Sequence, residues 1–250
     1  MADQNRYVRV KQLSSGRIFY GVLNDGEEVE CLSAAPWSSG SETGIAIKKS
    51  DYELLVPCEP SKIIAVGKNY VDHAAEFNSE VPKEPLLFLK PPSSLLASGG
   101  VIKLPGMSRR VDYEGELAFV VGAAGEIWGY TIANDVSARD LQKRDGQWTR
   151  AKGFDTFCPV GPWIVQKIPS DAQIETFLND NPVAVQSVLV SKMVFGCSAL
   201  LEAISQVMTL IPGDIILTGT PAGVGPLKDG DAVRVVIKGI GELRNTVRKS

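Results

Sequence analysis

Val111–Gly122, VDYEGELAFVVG, is the stretch from which the rest of the chain can be read. Its apolar residues, Val111, Tyr113, Leu117, Phe119, Val120 and Val121, predict a β-strand. Residues two apart in a strand share a face, so Asp112, Glu114 and Glu116 point one way while Tyr113, Leu117 and Phe119 point the other. Carboxylates on one strand face begin ~7 Å apart at the backbone. Two of them brought to ~4 Å in a partly buried site repel by about 4 kcal/mol at moderate dielectric. Water, a proton, an arginine or a metal ion has to offset that repulsion.

Working outward, Val101–Leu104 leads into the acidic strand and Gly125 closes the turn after it. Ile127–Ala133 reads as the next strand, with Asp135 at its end. A hairpin of the two strands places Asp135 beside Glu114 and Glu116. Ser137-Ala138-Arg139-Asp140 then reads as a capping box opening a short helix through Leu141 and Gln142. Upstream, Lys62–Val66 and Leu86–Leu89 are short buried strands. Between them, residues 69–77 form one or two helical turns carrying Asp72, His73 and Glu76. Downstream come an irregular loop over Gly146–Pro162, a strand at Trp163–Lys167 and a turn at Phe177–Pro182. Apolar residues recur at helical spacing over Ser198–Thr209, and Ile215–Thr218 and Ala232–Ile237 are strands. Residues 6–55 alternate short strands and turns. The expected organisation is a small N-terminal β appendage over residues 1–57 and a catalytic β domain over 58–250. Strands dominate, and the βαβ alternation of a Rossmann sheet or TIM barrel is missing.

The 250 residues carry a net charge of −3, with Lys and Arg scattered, which argues against nucleic acid or an acidic membrane as partner. Cys31, Cys58, Cys158 and Cys197 lie far apart without a CxxC pair and read as reduced core thiols. The polar start MADQNRYVRV lacks the apolar run of a signal peptide, and no window approaches ~18 apolar residues. A cytoplasmic protein is expected. His73 is the single histidine, so no site can draw two imidazoles from one chain.

Four constellations could carry chemistry. Glu114, Glu116 and Asp135, a cluster without His or Cys, suit a hard cation such as Mg²⁺ or Mn²⁺. The plainer alternative pairs the glutamates with Arg109 and Arg110 on an exposed edge and makes Asp135 a helix cap. His73 and Glu76, three apart on a helical turn, suit an oriented general base, or are a surface pair. Lys152, in WTRAKGFDTFCPVGP (148–162), suits a point charge for a substrate carboxylate, or is simply solvated. The loop TGTPAGVG (218–225) is neither a Walker loop nor a dinucleotide turn. Its glycines allow a ligand close to the backbone, or make a tight turn.

Taken together, these stretches resemble the fumarylacetoacetate hydrolase family. The resemblance rests, in the family's order, on AVGKNYVDHAAEF (65–77), PLLFLKPPSS (85–94), 111–122, GYTIANDVSARDLQ (129–142), 152–161 and PGDIILTGTPAGVG (212–225). It implies a mainly β (α+β) fold, a mixed β-sandwich roll with few short helices, usually as a homodimer. It implies Mg²⁺ or Mn²⁺ on Glu114, Glu116 and Asp135, with His73 and Glu76 on a small lid helix supplying the base. By the same matching, Lys152, Arg139, Gln142 and Thr220 bind the oxygens of a 2-oxo acid. Lys68 stands at the pocket rim where the family usually has arginine. The implied activity passes through a metal-chelated enolate of a short 2-oxo or diketo acid. Its outcome is C–C hydrolysis of an acylpyruvate or decarboxylation of oxaloacetate. The alternatives are keto–enol tautomerisation and a catalytically silent metal-binding homologue.

Overall fold

The computed structural model describes residues 4–76 and 80–250. Phe77, the last residue of the expected helical turns, lies outside them. The fold is mainly β, with three sheets and few short helices. The largest sheet has twelve strands. Its central path runs Arg6–Gln12, Cys158–Val165, Ile127–Asn134, Gly115–Val121, Ile215–Leu217, Ile63–Gly67 and Leu86–Lys90. The N-terminal strands continue this sheet, because Tyr7 pairs with Ile164 across Arg6–Gln12 and Cys158–Val165. A five-stranded sheet runs Gln186–Leu189, Gln173–Leu178, Ala232–Ile237, Gly241–Lys249 and Val101–Leu104.

The strand Gly115–Val121 is buried throughout, and its side chains alternate between two packed faces. Leu117 and Ile132 of the large sheet are fully buried against Ile174, Val235, Ile237 and Leu243 of the five-stranded sheet. Further along the same face, Phe119 and Val121 pack on Leu200 and Ile204 of the helix Cys197–Val207. Ala118 and Val120 point the other way, into a cluster with Ile63, Ala65, Leu217 and Trp37. Burying each such aliphatic side chain contributes about 1.5–3 kcal/mol. The four cysteines are free, three of them buried. No helix among the described residues is long and apolar enough to cross a membrane.

The acidic stretch is not one strand. Val111–Tyr113 is the middle strand of a three-stranded sheet with Ser137–Ala138 and Gly225–Pro226. Gly115–Val121 belongs to the large sheet, and the chain changes sheets at Glu114. Gly115 permits the change, since a Cβ there would sit 2.2 Å from Thr176 Oγ1. The amides at the break bond to side chains instead of a ladder. Glu114 N–H donates to Asn134 Oδ1 (2.9 Å) and Gly115 N–H to Gln186 Oε1 (3.0 Å).

Other expectations also change. The helix Arg139–Asp145 has Ala138 at its N-cap and no side-chain cap bond. Asp140 instead accepts from Ser108 Oγ and Arg109 N–H, and Ser137 Oγ donates to the Asp135 carbonyl. Residues 146–162 are not one loop, because Thr149–Lys152 is helical and Cys158–Val165 is a strand. Leu86–Lys90 is an edge strand with Leu86 and Leu89 exposed, its buried residue being Lys90. Among the N-terminal strands and turns, Pro36–Ser38 is a short helical turn that buries Trp37 in the core.

Candidate active site

The hairpin of Gly115–Val121 and Ile127–Asn134 sets Gly115 opposite Asn134 and Glu116 opposite Ala133. Asp135 follows directly, and its N–H donates to the Glu114 carbonyl at 2.9 Å. Register alone therefore gathers Glu114, Glu116 and Asp135. One carboxylate oxygen from each lies within 4.8 Å of the other two, and all three residues are buried. The exposed-edge alternative fails here. Arg110 pairs with Asp112 (3.0 and 3.1 Å) and not with either glutamate.

Cations compensate the cluster unevenly. Lys152, buried at the end of its short helix, puts Nζ 2.6 Å from Glu114 Oε2 and 2.6 Å from Asp135 Oδ2. Its Nζ also lies 5.0 Å from the centre of the Phe88 ring. Arg139 bonds Glu114 Oε1 and reaches Asp112 Oδ2 (2.9 Å) and Gln142 Oε1 (3.0 Å). Burial alone would raise the Glu114 carboxyl, but Arg139 and Lys152 outweigh it and hold the group well below the ordinary range. Glu116 is different. It accepts the Gly219 N–H (2.7 Å) and has no ion pair among the described residues. Burial first, then the neighbouring Asp135 and Glu114, push its carboxyl well above the ordinary range.

This arrangement fits a hard divalent cation. The donors are all carboxylate oxygens, and one of them, Glu116, is buried without a cation against it. In the cation-free protein burial and the neighbouring carboxylates favour the protonated form of Glu116.

His73 lies beside the cluster, with Nδ1 3.3 Å from Glu76 Oε2. Burial lowers its pKa, and the raising effects of Glu114 and Glu76 do not restore it. Glu76 also accepts from Gly223 N–H (3.4 Å), which ties the helix Val71–Glu76 to the 218–225 loop. His73, Lys152, Arg139, Gln142, Lys68, Thr220 and the three carboxylates line one cavity of about 530 Å³. Glu76 is not among its lining residues and stands behind His73. The Thr220 hydroxyl donates to the Gly115 carbonyl and accepts from Gln186 Nε2 (2.9 and 2.8 Å), so it buttresses the strand break.

Residues 62–248 match the sequence profile described as fumarylacetoacetate (FAA) hydrolase C-terminal. This chain belongs to the fumarylacetoacetate hydrolase family. Residues 5–57 match a second profile, Rv2993c-like, N-terminal. Within the family, the chain is 44% identical over 225 residues to a mitochondrial oxaloacetate tautomerase of Xenopus laevis, covering 80% of this chain and 71% of that one. A crystal structure of a 5-carboxymethyl-2-hydroxymuconate delta-isomerase from Mycobacterium smegmatis superposes with a TM-score of 0.89 at 41% identity, covering 98% of this chain and 100% of the other. A fumarylpyruvate hydrolase from Pseudomonas aeruginosa, solved with Mn²⁺ and pyruvate, gives 0.70 at 28% identity, covering 79% and 92%.

Lys90, a site residue that sequence reasoning missed, is buried below the cluster. Its ammonium meets Asp135 Oδ1 at 2.7 Å and donates to the Lys152 carbonyl at 2.6 Å. The signal was a lysine closing the apolar strand LLFLK ahead of two prolines, where a solvated side chain has little room. Asp112, expected on the face of the cluster, braces Arg139 instead.

Proposed function

We propose that this family member moves a proton at C3 of a short 2-oxo acid, interconverting the keto and enol forms of oxaloacetate or a related diketo acid. Glu114, Glu116 and Asp135 would hold Mg²⁺ or Mn²⁺ for that reaction. The observation that carries the reading is one cavity lined by both a buried three-carboxylate cluster and the chain's only imidazole. A bound divalent cation supplies Lewis acidity toward the carboxylate and keto oxygens.

The chain's own groups do the rest. Glu76 engages His73 Nδ1 and orients the imidazole. Burial lowers the imidazole pKa and favours its neutral form, so the ring can take the C3 proton and return it. Lys152 places a buried positive charge where negative charge develops on the C2 oxygen. Arg139 engages Gln142 Oε1, so the Gln142 amide NH₂ is the end left to donate to a substrate carboxylate. The relatives named as a tautomerase and an isomerase support this outcome.

The second reading is C–C hydrolysis of an acylpyruvate, favoured by the likeness to fumarylpyruvate hydrolase. Water then takes the place of C3 as the group that His73 deprotonates. Oxaloacetate decarboxylation would use the same positive charge.

The test is to give the protein oxaloacetate and acetylpyruvate with Mg²⁺, Mn²⁺ or a chelator. Enol absorbance, pyruvate and CO₂ are followed together. The proposal expects cation-dependent relaxation of the enol signal without pyruvate. Pyruvate from acetylpyruvate would shift the assignment to hydrolysis, and pyruvate with CO₂ from oxaloacetate to decarboxylation. No catalysis in any channel would refute the reading.

A further inference from the structure

The cations that line the cavity fall into two groups. Lys152 and Arg139 are spent on Glu114, Asp135 and Asp112. Arg110, half-exposed, is spent on Asp112 through two bonds. Lys68 and Lys143 also line the cavity, yet neither side chain has a hydrogen bond or ion pair among the described residues. Lys68 is half-buried and Lys143 exposed, whereas the carboxylate cluster is buried. The uncommitted positive charge therefore sits on the solvent side, away from the cluster.

Lys68 is also held in an unusual conformation. Its φ is +58°, in the left-handed region that disfavours a residue with a Cβ. The neighbours enforce it. Asn69, fully buried, donates to the carbonyls of Thr218 (2.8 Å) and Phe195 (3.0 Å) and accepts from Phe195 N–H (2.8 Å). On the other side, a Cβ at Gly67 would meet the Trp148 ring at 3.1 Å. Glycine would satisfy this backbone more cheaply. A lysine that gains no partner from a strained position is explained by a ligand that supplies one.

We infer that Lys68 and Lys143 form a subsite for a second, distal carboxylate, so the cavity selects 2-oxo dicarboxylates over 2-oxo monocarboxylates. The α-carboxylate and keto oxygen lie toward the cluster, and the far carboxylate meets the two ammonium groups at the mouth. Lysine suits this task as a mobile point charge that can follow diacids of slightly different length. The inference rests on the 2-oxo acid reading of the site and adds the charge of the substrate's other end.

The test compares oxaloacetate with acetylpyruvate, which keeps the 2-oxo acid and replaces the distal carboxylate by an uncharged acetyl group. The readout is the ratio of their kcat/KM values for enol–keto exchange. Lys68→Met should lower the oxaloacetate preference about tenfold, the worth of one charge-assisted hydrogen bond, mainly through KM. Lys68→Met/Lys143→Met should lower it further, and added salt should erode it in the wild type more than in the double variant. A preference left intact in the double variant overturns the inference while the 2-oxo acid reading stands. A wild type inactive on both compounds fails the reading itself. Lys68→Gly is the control for fold. It should melt no lower than the wild type, and a clear drop in Tm would make the lysine structural and overturn the subsite.

Discussion

Lys90 and Asp135 meet at 2.7 Å in the interior, with both side chains essentially inaccessible to water. The contact fixes one oxygen of Asp135 from beneath, while Lys152 takes the other from the cavity side at 2.6 Å. The lower lysine also holds the carbonyl of the upper one. The position of Lys152 and the orientation of Asp135 are thus braced by one ammonium that does not line the cavity.

Removing that ammonium should be costly. Lys90→Met should lower unfolding free energy by about 3–5 kcal/mol, since it leaves a buried carboxylate without one of its ion-pair partners and the Lys152 carbonyl without its donor. Urea unfolding measures it. A second substitution, Asp135→Asn, should cost less in the Lys90→Met background than in the wild type, because the two residues share one interaction.

Glu116 makes the cation-free protein sensitive to alkali. Its folded pKa is raised, so the folded state holds a proton that the unfolded chain has released above its ordinary value near 4.5. That contribution to stability is fully present below this value and lost as pH rises through the folded pKa. Chelated protein should therefore unfold at lower urea at pH 8 than at pH 5. Mg²⁺ should restore stability at pH 8 by taking over the charge. Glu116→Gln should flatten the slope, and an equal slope in that variant would assign it to other groups.

On the proposed mechanism His73 should govern rate rather than cation binding. His73→Ala should lower turnover roughly 10²–10⁴-fold, the usual worth of a positioned acid or base. Mn²⁺ affinity measured by calorimetry should stay close to wild type. Because burial lowers its pKa, the wild-type rate should fall only as pH drops below the ordinary imidazole value of 6.5. A midpoint above that value would contradict the assignment.

Asp214 anchors the turn that leads to Gly219. It is buried and accepts from Ser61 N–H (3.0 Å), Ser61 Oγ (2.7 Å), Ile211 N–H (2.9 Å) and the Lys62 ammonium. Burial alone would raise its carboxyl, but the donated bonds hold it below the ordinary value. Its stabilisation is present above the ordinary aspartate pKa near 4 and disappears as pH falls through the folded value. Asp214→Ala should cost about 3 kcal/mol at pH 7 and much less at acid pH, by urea unfolding at both.

The carboxylates were legible because a strand repeats every two residues and a hairpin returns its partner to a known place. That logic delivered Glu114, Glu116 and Asp135 together. It misjudged Val111–Gly122 as one strand, because the break at Glu114 depends on Thr176 and Gln186, more than sixty residues away. Ser137 had the sequence of a cap, but a local bond to the Asp135 carbonyl claimed its hydroxyl, and Ser108 and Arg109 claimed the Asp140 carboxylate. Lys90 escaped because sequence position does not reveal that its ammonium is enclosed. The strand Gly241–Lys249 was also missed. Only Leu243, Asn245 and Val247 are its buried alternating residues, and charged neighbours mask that pattern.

The parallel pairing of Ile63–Gly67 with Ile215–Leu217 sets the order in which this protein can become functional. Closing that contact ties together segments about 150 residues apart, among the slowest kinds of contact for a chain to find. The strand Ile215–Leu217 also carries forward the Gly219 amide that donates to Glu116. During synthesis, the acidic hairpin can form long before that amide emerges from the ribosome. A growing chain would then expose three crowded carboxylates with neither Lys152 nor the Gly219 amide in place. Cation binding should therefore be a late event in biogenesis that reports completed folding, and a chain stopped before residue 215 should hold Mn²⁺ no better than a random acidic peptide.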